Sequence, residues 1–484
     1  MALHRTNLGW MILAGALIFG CTPDRAPVGG TNPPVLPATA GVPIPATAAP
    51  AHPLVLTPRG RALKVDQLIG DVDKNTRQPT RGQSLKRYGV EGADLGSPFE
   101  DGDRVIFLFG DTIGKGNPPG ADAIGFTTDR TPDDGVALDF FTRHKAGKGR
   151  GKLLGKGKGP GKGKGKGPGK GPGKPKIRGR GAGAERYLAF SPRNANGKEQ
   201  ELKGVEVPVA GIRLGSSAFV AYKDNHAGDE DGSKDREAVE VAPTDITSLA
   251  RFDPESGVAT TLCVLSRQPQ GRFNKISLRL PVDSAGFPAG GPFVVVLGTG
   301  KHRASHAYLA LAPIAAFDRC AGLLYFARLE NGQPVWSPRE SDAGPVFRDG
   351  PGEGAIGELS VTWAAPIRRW IATYDAKVPG GARNVFLRYS ETPWGPWSEP
   401  VTLINGKTDI TGVFAHDSRR VPDDGLAGPM IGEKHPEKAS GAAYAPFVVE
   451  RWTRLEGSIL KIYYTLSLWN PYTVLLMRSD LIVS

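Results

Sequence analysis

The 484-residue chain carries 61 Lys or Arg against 49 Asp or Glu, a formal net charge of +12, and only three cysteines. The charge is local: residues 143–180 hold 15 Lys or Arg and no acid, and setting them aside takes the balance from +12 to −3. A mildly acidic body whose basic run has no interleaved aromatics argues against nucleic-acid binding, and the Cys/His spacing argues against a zinc-built fold.

In chain order, residues 1–20 read as a signal peptide. His4 and Arg5 form a short basic region, and Leu8 to Gly20 is a 13-residue apolar run. A bilayer core of about 30 Å needs about 20 residues, so the run suits a signal core better than a span. The ending Ile18-Phe19-Gly20-Cys21 resembles a bacterial lipobox, which implies cleavage before Cys21 and lipidation of that cysteine. An ordinary secretory signal is the alternative. Residues 21–53 are rich in Pro, Ala and Thr. They have little to bury and read as a semi-rigid tether. The expected location is the cell envelope, lipid-anchored on its periplasmic or extracellular face.

The stretch GADLGSPFEDGDRVIFLFGDT reads as a hairpin turning at Asp101-Gly102, an Asp-Gly pair suited to a two-residue type I′ turn. Counting outward pairs Glu100 with Asp103 and Asp94 with Phe109. Asp111 lies two residues further on, so Asp94 and Asp111 are expected on one face as diagonal neighbours about 7–8 Å apart. Paired carboxylates at roughly 5–9.5 Å are what glycoside hydrolysis requires. Aspartates at strand ends also cap turns, which is the structural alternative. The Lys/Gly/Pro-rich segment 143–184 cannot form a core and is expected to be a disordered loop insertion, able to attract anionic envelope polymers or simply tolerated.

From Leu54 onward, short β-rich runs recur between Gly, Pro and Asp turns. They are 104–110, 216–222, 292–300, 306–313, 323–329, 359–363, 369–375, 384–390, 459–467 and 472–479. About 390 ordered residues exceed a simple sandwich. Four-stranded blades would number about five, so the expectation is an all-β, five-bladed β-propeller over 54–484, with a two-domain β-sandwich as alternative. Cys263 and Cys320 could pair or remain buried thiols.

Several other residues are candidates. Glu358, after Gly in GAIGELSVTW, could be a third carboxylate that tunes the others or serves as the acid. Segment 298–310 gathers Lys301, His302, Arg303, Ser305 and His306 at a strand end, where Arg303 and Ser305 could bind sugar hydroxyls, and His416-Asp417 is a similar case. Trp469, Asn470 and Tyr472 sit in a turn where aromatics could stack on sugar rings. Trp394 and Trp397 suit blade packing better. No redox or nucleotide cofactor is expected, because no Gly-rich phosphate motif follows a strand; no metal ligands are assigned, with a structural calcium left open.

The motifs GADLGSPFEDGDRVIFLFGDT, IGELSVTW, NVFLRYSETPWGPWSEP and AAYAPFVVERWTRLEGSILKIYYTLSLWNPYTVLLMRSDL together resemble glycoside hydrolase family 183 over roughly 54–484, the basic insertion excluded. The family more usually has Gly-Thr-Asp where this chain has Gly-Ala-Asp at 92–94. The resemblance implies a five-bladed propeller and an endo-acting D-arabinofuranosidase. Asp94 and Asp111 would then be the carboxylate pair and Glu358 an assistant, with polysaccharide as the partner. A non-catalytic polysaccharide-binding lipoprotein and a protein-interaction scaffold are the competing classes.

Overall fold

The computed structural model describes residues 54–142 and 186–484, apart from residues 115, 116, 118–120, 195, 201, 203–205, 225–245, 268–270, 283–285 and 353. The signal, Cys21 and tether readings, and the basic insertion at 143–184, lie outside the described residues.

Two short strands, β1 (Leu56–Pro58) and β2 (Leu63–Gln67), and a one-turn helix α1 (Ser84–Tyr88) precede the first sheet. Blade I is β3 (Val90–Asp101), β4 (Arg104–Gly114), β5 (Ile124–Thr127) and β6 (Asp139–Phe140). Blade II is β7 (Pro208–Leu214), β8 (Ser217–Asp224), β9 (Ile246–Asp253) and β10 (Val258–Arg267). Blade III is β11 (Lys275–Arg279), β12 (Phe293–Thr299), β13 (Ala307–Pro313), β14 (Leu324–Glu330) and β15 (Gln333–Ser337), with β16 (Pro345–Phe347) added to β13. Blade IV is β17 (Ile356–Ala364), β18 (Arg369–Lys377), β19 (Arg383–Ser390) and β20 (Val401–Ile404). Blade V contains β21 (Ala443–Val448), β22 (Arg454–Glu456), β23 (Ile459–Leu468) and β24 (Thr473–Val483). All ten apolar runs singled out in the sequence are strands, and pairing is antiparallel throughout the named ladders.

The β4 run is apolar at every position rather than alternating because each face of its sheet meets a different neighbour. Phe107 and Phe109 pack toward blade V, with Tyr463, Val474 and Leu476. Ile106 and Leu108, on the opposite face, pack toward blade II, with Val220, Tyr222 and Phe252. β12 repeats the arrangement: Val294 and Val296 join blade II, while Val295 and Leu297 join blade IV. A sheet sandwiched on both sides must be apolar on both sides. The remaining core, around Ile371, Leu387, Ile462 and Leu466, joins blades IV and V. Five cores between five sheets close a ring, which is a five-bladed propeller.

Closure uses both ends of the described chain. β1 and β2 add to β24, so Leu56 lies opposite Val483 and Gln67 opposite Leu475. Cys263 on β10 is disulfide-bonded to Cys320, which follows β13, and so links blades II and III across their outer parts. Trp394 packs edge-on against Phe287 and Trp336, and Trp397 against Phe347, in the core between blades III and IV.

Candidate active site

The first strand of each blade lies nearest the axis, and together these strands line one cavity. Asp94 and Leu95 come from β3, Val209 from β7, Lys275 and Ile276 from β11, Glu358 and Leu359 from β17, and Tyr444 and Phe447 from β21. Asp111, Lys223, His302 and Arg303 complete the wall. Counted to its open mouth, the cavity holds about 590 Å³ of space between atoms, a size suited to a small ligand or one end of a larger one.

The hairpin register differs from the sequence count. The loop is Gly102-Asp103, with Asp101 opposite Arg104, so Asp94 faces Gly110 and Leu95 faces Phe109. Simple alternation would then put Asp94 and Asp111 on opposite faces. Register shifts intervene on both sides of Asp94, and Asp111 and Leu95 have left-handed backbone, with φ of 22° and 59°. A bulge re-aims side chains in this way, and both aspartates line the cavity. Gly110 is required by the same geometry: a Cβ there would stand 2.7 Å from the Asp94 carboxylate.

Tyr444 donates its hydroxyl proton to Asp94 Oδ2 at 2.9 Å, and the Tyr472 hydroxyl is turned to the same carboxylate. Burial nevertheless dominates and pushes the Asp94 pKa up to about 6. The two tyrosines work against this shift and the Glu358 charge works with it. A carboxyl with that value still carries a proton in mildly acidic solution.

Glu358 is in the opposite state. Burial favours its neutral form, but Arg303, Lys275 and His302 outweigh it and hold the pKa well below the usual carboxylate range. Lys275 Nζ lies 2.5 Å from its carboxylate and 2.7 Å from His302 Nδ1, and Arg303 Nε lies at 3.5 Å. The Arg303 guanidinium also sits over the Tyr444 ring, 4.7 Å from its centre. Beneath Glu358, the fully buried Asp375 pairs with Arg383 at 2.5 Å and accepts the Glu358 and Ala445 backbone N–H groups at 3.1 Å each. This fastens β17 to β21. The Glu358 charge in turn raises the Asp94 pKa, and this surrounding of cations suits Glu358 to tuning Asp94 better than to giving up a proton.

Of the expected sugar ligands, only Arg303 lines the cavity. Ser305 is buried, accepting from Gly300 N–H and donating to the His306 carbonyl. Asn470 is buried with its amide spent on the carbonyls of Pro436 and Ala439 and on Gly428 N–H. Tyr472 is buried beneath Trp469 and faces Asp94, so it acts on a carboxylate and offers no face for a sugar to stack on. Trp469 is 36% exposed but lies outside the cavity lining. His416 is also buried, bonded to Asp424 at 2.6 Å and to the Glu437 carbonyl at 3.0 Å. Among the described residues, His416, Asp423 and Asp424 form a group whose ligand atoms lie close enough to hold a cation. Their existing bonds account for the arrangement. Burial disfavours the charged ring, but the Asp424 hydrogen bond prevails and raises the His416 pKa.

Three cavity residues escaped the sequence reading, Tyr444, Lys275 and Lys223, as did the buried Asp122 outside the lining. Tyr444 and Lys275 sit on the first strands of blades V and III, so correct blade phasing would have pointed to them. The sequence before Asp122 reads Pro-Pro-Gly-Ala, and no local pattern ties it to Asp111.

Residues 266–478 match the family model described as a domain of unknown function, DUF4185. No functionally curated protein matches the chain. Among solved structures, the chain is similar to a protein from Bacteroides ovatus, at 13% identity over 82% of this chain and 87% of that one, with a TM-score of 0.42. It is also similar to an exo-beta-1,3-galactanase from Phanerochaete chrysosporium, at 9% identity over 85% of this chain and 64% of that one, with a TM-score of 0.39. An alpha-L-arabinofuranosidase from Podospora anserina matches at 9% identity over 87% and 96%, with a TM-score of 0.36. The activities in these names are those proteins' own.

Proposed function

We propose that this protein is an envelope-anchored glycoside hydrolase that cleaves a furanose polysaccharide, acting internally on D-arabinan. The observation that carries the reading is the pairing of Asp94, with a pKa of about 6, and Asp111 on the wall of one axial cavity. Asp94 is the acid: it donates its proton to the glycosidic oxygen as the bond to the anomeric carbon breaks. Asp111 is the second carboxylate, acting on the anomeric carbon directly or through a water. Glu358 holds its charge throughout and disfavours early loss of the Asp94 proton. Arg303 binds a sugar hydroxyl in this reading, which its position on the cavity wall over Tyr444 supports.

The choice of D-arabinan is supported by the resemblance of the hairpin and C-terminal motifs to glycoside hydrolase family 183. Anchoring is supported by the apolar run ending at Cys21 and the Pro-rich segment after it. The test is product analysis of the purified protein on D-arabinan beside Asp94→Asn. Oligosaccharides from the wild type alone support the reading. Absence of products from a folded wild type removes D-arabinan as substrate and favours another furanoside or binding without turnover.

A further inference from the structure

Asp122 has no part in the chemistry above, yet it is the most isolated carboxyl in the region. It is fully buried, and neither of its oxygens has a hydrogen-bond partner. Its position is fixed by the backbone around it. The Asp122 carbonyl accepts from Phe190 N–H at 2.9 Å. The neighbouring Ala123 accepts from Phe109 N–H at 2.9 Å and donates to Thr112 Oγ1 at 3.1 Å. These bonds hold Asp122 abreast of the Gly110–Thr112 stretch that carries Asp111.

The titratable groups facing Asp122 are Asp111 on β4, Asp94 on β3, Glu206 ahead of β7, and the Tyr187 phenol. None is a cation. An ionised Asp122 would combine full desolvation with several like charges, against one weak donor, the Asp111 backbone N–H. Burial first, and the Asp111 charge second, drive its pKa well above the usual carboxylate range, while the Asp111 backbone N–H works weakly the other way. Asp111 meanwhile keeps a left-handed backbone, a conformation that persists only where surrounding structure imposes it.

We propose that Asp122 is a positioning residue for Asp111: the two carboxyls hold one proton between them, which resides on Asp122 and leaves the negative charge on Asp111 at the cavity wall. Two carboxylates that feel each other's charge titrate as a pair, so the buried member takes the proton and the cavity member takes the charge. No other group need gain or lose a proton. The inference rests on Asp111 being the second carboxylate of the proposed function, but its test does not depend on turnover.

The test is carboxyl titration of the full chain without substrate, by infrared difference or 13C-aspartate NMR spectroscopy. Measured near pH 8, above the Asp94 value of about 6, the wild type should show a protonated carboxyl that Asp122→Asn lacks. In Asp111→Asn, the Asp122 titration should move to lower pH by about one unit or more, because the neighbouring charge is gone. An ionised Asp122 at pH 8, or a titration unmoved by Asp111→Asn, overturns the inference. If Asp122→Asn fails to fold, the Asp111→Asn shift decides alone. A coupled pair in a protein that cleaves no furanoside would sink the hydrolase reading while leaving the proton-sharing pair standing.

Discussion

Two walls of the same cavity hold their carboxyls in opposite states. Asp94 is met by hydroxyls, and Glu358 by Lys275 and Arg303. Desolvation acts on both and is the largest influence on each. The outcome is decided by what replaces water: two phenols only moderate the shift, whereas two full positive charges reverse it. One wall stores a proton and the other stores a charge, with no difference in depth needed.

The largest effect expected is on turnover. Asp94→Asn should lower kcat by about 10²–10⁴-fold, the range for losing a general acid, while affinity for the polysaccharide stays nearly intact. Equal turnover by the variant would remove Asp94 from the chemistry and favour a binding-only protein. Stability should separate the walls with opposite sign. Glu358→Gln leaves Lys275 and Arg303 facing an uncharged amide and should cost about 3–5 kcal/mol in urea denaturation. Asp94→Asn should instead stabilise the protein at pH 7 by about 1–3 kcal/mol, because folding there must ionise a carboxyl that resists it.

The sign also sets the slope with pH. Asp94 ionises from about 3.8 when unfolded but only near 6 when folded, so its contribution to stability declines as pH rises between those values. Glu358, held below its ordinary 4.5, contributes fully above that pH and loses its contribution as pH falls. Activity that needs protonated Asp94 should fall as pH rises through about 6. Glu358→Gln should move that limb to lower pH, since a charge that favours the Asp94 proton is removed. A limb that stays in place would disconnect the walls. The smallest effect belongs to Tyr444→Phe. Losing this donor should move the limb upward in pH and change stability by about 1 kcal/mol, readable from a pH–rate profile beside a melting curve.

Much of the blade architecture was legible because it is written in strands such as β4 and β12, whose unbroken apolar runs reflect burial on both faces. The common location of Asp94 and Asp111 on one cavity wall did not follow from the counted register. The count placed the turn one residue early and assumed straight strands, whereas bulges and a left-handed Asp111 bring both side chains to the cavity. What stayed hidden depends on contacts across the ring. Asp122 is held beside Asp111 by its neighbour Ala123, bonded to the Phe109 N–H and the Thr112 hydroxyl, and Tyr444 reaches Asp94 across 350 positions. Asn470 and His416 misled for the converse reason: polar residues near strand ends serve backbone carbonyls as readily as ligands.

The seam where β1 and β2 meet β24 makes the ring a clasp whose two halves lie at residues 56–67 and 473–483. Blade V therefore cannot be completed until β24 has been made, and the axial cavity, which draws on β21 of that blade, waits with it. A chain released early would carry Asp94 and Asp111 on a finished hairpin but lack Tyr444 beside them. Assembly of the site is thus coupled to the arrival of β24, a late checkpoint imposed by the order in which the strands are threaded.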